Sequence, residues 1–196
     1  MAAEKKTDDR FVLRNARHLA ADYMTRTLRE GDVAVDATMG NGHDTQFLCG
    51  LVGESGRVYA FDVQQSALDN TAARLEAEGL RARAELILSG HETMAAYVKT
   101  PVRAVMFNLG WLPGGDKSVT TLWETTKQAV TAAMALVEKG GVVTICAYPG
   151  HAAGDEERHE LMAFLSAVRP QEFNVLHHRF LNAGPGAPEC FVVLKQ

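Results

Sequence analysis

The sequence predicts an α/β fold, a mostly parallel seven-stranded sheet covered by helices and closed by a C-terminal antiparallel hairpin. Three observations predict it. From residue 33 onward, short apolar runs alternate with stretches of helical period, which is the pattern of right-handed βαβ units. The last two apolar runs are joined by Asn182-Ala183-Gly184-Pro185-Gly186-Ala187-Pro188, too few residues to hold a crossover helix, so they should pair antiparallel. No repeat, low-complexity segment or linker interrupts the 196 residues, and 46% hydrophobic with 22% charged residues is an ordinary globular balance. A single domain spanning 1–196 around one sizeable core is therefore expected.

Residues 11–28 read as an amphipathic helix packed on that domain. Val12, Ala16, Leu19, Ala20 and Tyr23 share one face, with Arg10, Arg14 and Arg17 opposite. Strands are expected at 33–37, 57–61, 82–88, 102–107 and 142–147, because each is a short apolar run bounded by glycine or polar residues. Helices are expected between them at 44–52, 66–78 and 118–138, and a further one at 155–168. The hairpin strands follow at 173–180 and 190–194.

Composition excludes several classes. Residues 1–10 are polar and charged, without the apolar stretch of a secretory leader, and no run approaches the roughly 20 apolar residues that span a bilayer. Cys49, Cys146 and Cys190 are odd in number and widely spaced, so buried reduced thiols are expected rather than a disulfide framework. His159, His177 and His178 have no metal-ligand spacing, and no metal is predicted. A cytoplasmic protein without a membrane partner is expected. The net charge of −4 argues against a global nucleic-acid field, though not against a local basic patch.

In a doubly wound sheet, ligands bind beyond the carboxyl ends of the strands, where the first strand meets its helix. That turn is Asp36-Ala37-Thr38-Met39-Gly40-Asn41-Gly42-His43-Asp44. Gly40 and Gly42 allow close backbone approach, and Asp62 ends the second strand, well placed to accept two ribose hydroxyls. A dinucleotide would fit the same features. However, the third glycine of its fingerprint is missing, and Asp36 and Asp44 put negative charge where a pyrophosphate wants bare N–H groups. The ammonium and sulfonium of S-adenosylmethionine do want nearby carboxylates, so the charge pattern favours that cofactor.

The string from Asp36 to Thr45, with Tyr59-Ala60-Phe61-Asp62 and the segment from Phe107 to Ser118, resembles the MnmM/YtqB-type bacterial family once labelled rRNA methylases. The likeness runs from about Arg17 to the C-terminus and includes Gly150-His151 and Phe180-Leu181-Asn182. It implies a Rossmann-like class I methyltransferase fold using S-adenosyl-L-methionine. It also implies N-methylation of 5-aminomethyl-2-thiouridine at a tRNA wobble position, through contact with the anticodon loop. Methylation of rRNA or a small molecule is the alternative, and a catalytically silent binding domain is the non-enzyme one. A homodimer would suit so small an RNA enzyme.

By the same resemblance, Asn41, His43 and Asp44 line the methionyl side of the cofactor, Asp62 holds the ribose with Gln64 reaching the same region, and Met39 and Asn108 are further cofactor contacts. Ser89 and His91 follow the third strand near the adenine; His91 either stacks or donates there, or is a solvated helix-start residue. Asn108-Leu109-Gly110-Trp111 looks like a variant of the Asn-Pro-Pro-Tyr motif of amino-methyltransferases. Asn108 is then the leading catalytic candidate, orienting an amine lone pair, and Trp111 stacks on a base. Asp116 either caps the helix expected near Ser118, accepts the substrate proton or pairs with a cationic aminomethyl group, and Lys117 contacts phosphate. His151 could act as a base. Tyr148 and Arg17 complete the substrate-facing set.

Overall fold

The computed structural model describes residues 13–196. Arg10, Phe11 and Val12, where the first helix was expected to begin, lie outside the described residues. Within them the helix α1 runs over Ala16–Thr27, opened by Asn15, whose side chain accepts from His18 N–H at 3.1 Å. The remaining order is β1 (Val33–Asp36), α2 (His43–Val52), β2 (Arg57–Asp62), α3 (Gln65–Ala77), β3 (Ala84–Leu88), the single turn α4 (Met94–Tyr97), β4 (Val102–Asn108), α5 (Trp123–Leu136), β5 (Val137–Ala147), α6 (Ala152–Ser166), β6 (Phe173–His178) and β7 (Glu189–Lys195).

These strands form one seven-stranded sheet in the order β3-β2-β1-β4-β5-β7-β6. The first five pair in parallel, while β7 runs antiparallel to both β5 and β6. This is the expected fold class, hairpin included. The period-2 alternation of β4 shows why both faces are covered. Ala104 and Met106 enter a cluster with Ala20 and Met24 of α1, Leu48 of α2 and Leu75 of α3. Val105 and Phe107 face the other way, onto Ala129 and Ala133 of α5 and Leu161 of α6. The three cysteines are buried and free, as expected, and burial pushes the Cys49 thiol up to about 11.

Two of the boundary differences from expectation have a tertiary reason. Helix α5 starts at Trp123 rather than near Ser118, because 110–121 is a loop closed on itself by an isolated bridge between Trp111 and Thr120. Strand β5 starts at Val137, with Glu138 to Gly141 bulging between the pairs Val102–Val137 and Ala104–Val142. Gly140 takes φ +77°, and a Cβ on Gly141 would come within 2.6 Å of the Arg103 carbonyl. The glycine pair thus makes a kink that residues with side chains would resist. Among the described residues, no helix is long and apolar enough to cross a membrane.

Candidate active site

Strand order reverses between β1 and β4, and a cleft of about 590 Å³ opens over their carboxyl ends. That volume lies within the roughly 300–1,000 Å³ typical of small-molecule sites. Its floor is the loop after β1, its sides are the ends of β2 and β3, and its roof is the loop after β4.

The floor is shaped by backbone needs. Gly40 and Gly42 have φ of +50° and +78°, and a Cβ on Gly42 would fall 2.8 Å from Thr71 Oγ1 and 2.9 Å from Thr71 Cα. Only glycine lets the loop lie this close to α3. Arg74 of α3 fastens it, donating from Nε to Asn41 O at 2.8 Å. Beneath the loop, Asp36 is buried and accepts from Thr38 N–H at 3.1 Å and Thr45 Oγ1 at 2.7 Å. Burial, helped by the nearby Asp44 charge, raises its carboxyl to about 7. Asp62 accepts from Gly40 N–H on one oxygen and Gln64 N–H on the other, each at 3.0 Å. Each oxygen keeps a lone pair for a hydroxyl in the cleft, and burial again raises the carboxyl's pKa.

Asn108 ends β4 and sits at the centre of a connected set. Its N–H donates to Thr38 Oγ1 at 2.7 Å, tying β4 to the floor. Its Nδ2 donates to Asp44 Oδ2, and its Oδ1 accepts from the Tyr148 hydroxyl at 3.1 Å. Arg17 closes the set, with a guanidinium nitrogen 2.7 Å from Asp44 Oδ1. A carboxylate between Arg17 and an amide accepts from both, so Asp44 dictates which end of Asn108 faces it. The Asn108 carbonyl therefore points to Tyr148, whose hydroxyl is pushed up by burial and stays a donor. One lone pair of that carbonyl is left to receive an N–H from the cleft. Tyr148 and Arg17 thus hold Asn108 in place as well as lining the cleft.

The structure brings together Arg17, Met39, Gly40, Asn41, His43, Asp44, Asp62, Gln64, His91, Asn108, Trp111 and Tyr148 around the cleft. Asn41 also bridges floor to roof, donating to Pro113 O at 3.2 Å. His91 is buried edge-on to Phe107 with centroids 5.7 Å apart, so it is not a solvated residue. Burial lowers its pKa and keeps it neutral near pH 7.

Other candidates lie off the cleft wall. Asp36 and Gly42 sit beneath the floor, and Ser89 turns away, its hydroxyl 2.9 Å from Thr93 Oγ1. Asp116 does not cap α5; it accepts from Ser118 N–H at 2.8 Å in a local turn. That bond holds its carboxyl below the usual range, which suits a base poorly. Lys117 Nζ lies over the Trp111 ring, 5.4 Å from its centroid. His151 caps α6, its Nδ1 accepting from Gly154 N–H at 3.2 Å, and its ring packs 4.6 Å from Trp111. Its Nε2 is buried without a partner among the described residues, tucked over Gly154, where a Cβ would come within 2.6 Å of it. His151 therefore backs Trp111 instead of facing the cleft.

Sequence reasoning did not single out Arg74, Thr121 or Glu157. Glu157 is buried on α6 and accepts from Thr121 and Thr126 hydroxyls, bonds that counter the rise that burial imposes on its carboxyl. In the sequence it is one of three consecutive acidic residues, with nothing to mark it as the inward one. Among the described residues, no group of three or more His, Cys, Asp or Glu is gathered as a metal site requires.

Comparison with known proteins supports the fold and the family. The family described as "Putative rRNA methylase" matches residues 58–194. A chloroplastic tRNA (mnm(5)s(2)U34)-methyltransferase of Arabidopsis thaliana is 34% identical over 196 residues, covering 95% of this chain and 71% of its own length. A crystal structure described as a "putative rRNA-methylase", from Clostridium thermocellum, is 43% identical with a TM-score of 0.93, over 94% of this chain and 100% of that one. A Streptococcus mutans methyltransferase solved in complex with SAH is 36% identical with a TM-score of 0.86, over the same shares of the two chains.

Proposed function

The chain belongs to the family described as "Putative rRNA methylase", and we propose that it methylates the amine of 5-aminomethyl-2-thiouridine at a tRNA wobble position. It is an S-adenosylmethionine-dependent methyltransferase. The observation that carries the acceptor chemistry is the Asn108 carbonyl, held at the cleft by Asp44 and Tyr148 with a free lone pair. The activity of the Arabidopsis relative, a tRNA (mnm(5)s(2)U34)-methyltransferase, supports the identity of the acceptor.

S-adenosylmethionine supplies a methyl group made electrophilic by its sulfonium, and the floor fits it. Gly40 and Asn41 offer backbone close to a ligand, Asp62 has lone pairs for ribose hydroxyls, and Asp44 brings negative charge towards a cationic methionyl end. The remaining work belongs to positioning. Asn108 accepts one amine hydrogen and so aims the nitrogen lone pair along the line of transfer. The amine reacts in its neutral form, after its ammonium proton has passed to water; its lone pair takes the methyl carbon as the carbon–sulfur bond breaks and S-adenosylhomocysteine leaves, with no covalent enzyme intermediate. Neither Asp116 nor His151 is needed as a base.

Trp111 offers a face on which the base stacks. An anticodon nucleotide is unpaired and enters without melting a helix. Arg14, Arg17, Lys117 and Arg179, all exposed, are the proposed contacts to flanking phosphates. The test is nucleoside analysis of tRNA from a strain lacking the gene, before and after incubation with the protein and labelled S-adenosylmethionine. Label as 5-methylaminomethyl-2-thiouridine is expected. Label only in rRNA, or none in any RNA, refutes the reading.

A further inference from the structure

Glu157 follows two acidic residues on α6, yet it is only 3% exposed. Both its oxygens are engaged, Oε2 with Thr121 Oγ1 at 2.8 Å and Oε1 with Thr126 Oγ1 at 2.6 Å. Thr121 is the pivot. Its hydroxyl donates to Glu157 and accepts the Gly110 N–H at 2.7 Å, while its own N–H donates to Gly110 O at 3.0 Å. The Thr121 hydrogen is turned inwards to Glu157, which leaves the hydroxyl oxygen's lone pairs for Gly110. Gly110 is thereby held through both its N–H and its carbonyl, and the next residue is Trp111, which bridges to Thr120. From the other side, His151 of the same helix packs 4.6 Å from the Trp111 ring.

Helix docking alone does not call for a carboxylate here. Packing between α5 and α6 would be served as well by an apolar side chain, without desolvating a charge. What an apolar residue cannot do is accept two hydroxyl hydrogens. We propose that Glu157 is a positioning residue for acceptor recognition: acting through Thr121 and Gly110, it sets the orientation in which Trp111 meets the acceptor base. This rests on the reading of Trp111 as the stacking residue for an RNA acceptor.

Two near-isosteric variants separate this role from simple packing. Thr121→Val removes the acceptor for Gly110 as well as one donor to Glu157, whereas Thr126→Val removes only the other donor. Three measurements are made on each: amide hydrogen exchange at Gly110, S-adenosylmethionine affinity, and the KM and kcat for tRNA. Thr121→Val is expected to speed Gly110 exchange and raise the tRNA KM about tenfold, the scale of one lost buried hydrogen bond. Cofactor affinity and kcat should hold, and Thr126→Val should leave Gly110 exchange and the tRNA KM near wild type. Glu157→Leu should reproduce the KM defect, with Glu157→Gln restoring most of it, because the amide oxygen still takes the Thr121 hydrogen. Equal KM defects in Thr121→Val and Thr126→Val overturn the proposal, and so does Gly110 exchange unchanged in Thr121→Val. A wild-type protein that methylates no RNA overturns the functional reading instead, while Gly110 exchange still decides whether the latch exists.

Discussion

Asn108→Ala removes two contacts and leaves a third. Lost are the Nδ2 donor to Asp44 and the Oδ1 acceptor for Tyr148; kept is the backbone bond from Asn108 N–H to Thr38 Oγ1, so the end of β4 stays in register with the floor. The bond to the carboxylate is worth about 1.5–3 kcal/mol and the neutral one about 0.5–1.5 kcal/mol. Together they are the organisation that holds the amide, and their loss removes the acceptor that aims the amine. Losing one positioned hydrogen-bonding group of this kind costs about 10²–10³ in kcat. Asp44 loses one partner but keeps Arg17, and Gly40 and Asp62 are untouched, so cofactor affinity should change by less than about fivefold, under 1 kcal/mol. The assay is transfer of labelled methyl to tRNA, with cofactor binding measured separately by calorimetry. A variant whose kcat stays within a factor of about two of wild type, with cofactor affinity intact, would refute the role assigned to Asn108.

Three further outcomes follow from the geometry. Gly42→Ala meets both the left-handed φ and the 2.8 Å approach of Thr71 Oγ1, whereas Gly79→Ala, at φ +67° with open space, meets only the first. Denaturant unfolding should show a loss of about 2–5 kcal/mol for the former and about 1–2 kcal/mol for the latter, and equal losses would contradict the close approach. Asp36 has a folded pKa of about 7, above its ordinary 3.8. The folded state therefore binds the extra proton between those values, and Asp36's contribution is fully present below about pH 4 and fades as pH rises through 7. Asp36→Asn, permanently neutral, should flatten that slope in a series of unfolding curves; parallel profiles would count against it. Trp111→Ala should raise the tRNA KM roughly tenfold with cofactor affinity unchanged, since one base stack is worth about 1–3 kcal/mol; an unaltered KM would remove Trp111 from acceptor binding.

What could be read before folding was whatever the physics keeps local. Alternating apolar runs mark strands because side chains on a strand point to opposite faces, and the ten residues between β6 and β7 are too few for a crossover. Gly40 and Gly42 mark the floor because their backbone conformation excludes side chains. Asp44, Asp62 and Asn108 stand at element ends, which the rule for α/β sheets makes site positions. The start of α5 was misplaced because the bonds that hold 110–121 as a loop come from Gly110 and Glu157, which are not sequence neighbours.

The sequence by itself determined the order of the elements, the parallel sheet with its antiparallel hairpin, the glycine floor and the acidic residues that favour a cationic cofactor. All of these follow from periodicity, turn chemistry and charge within a few residues. Only the tertiary structure decided which polar groups work together. It turned Asp36 from a cleft contact into a buried support, moved His151 behind Trp111, and faced Glu157 inwards where its acidic neighbours are solvated. It also oriented the Asn108 amide through Arg17, Asp44 and Tyr148. The hydrogen-bond partners that hold Asn108, Asp44 and Glu157 in place lie 27 to 70 positions apart, a separation at which local pattern carries no information and packing alone selects the pair.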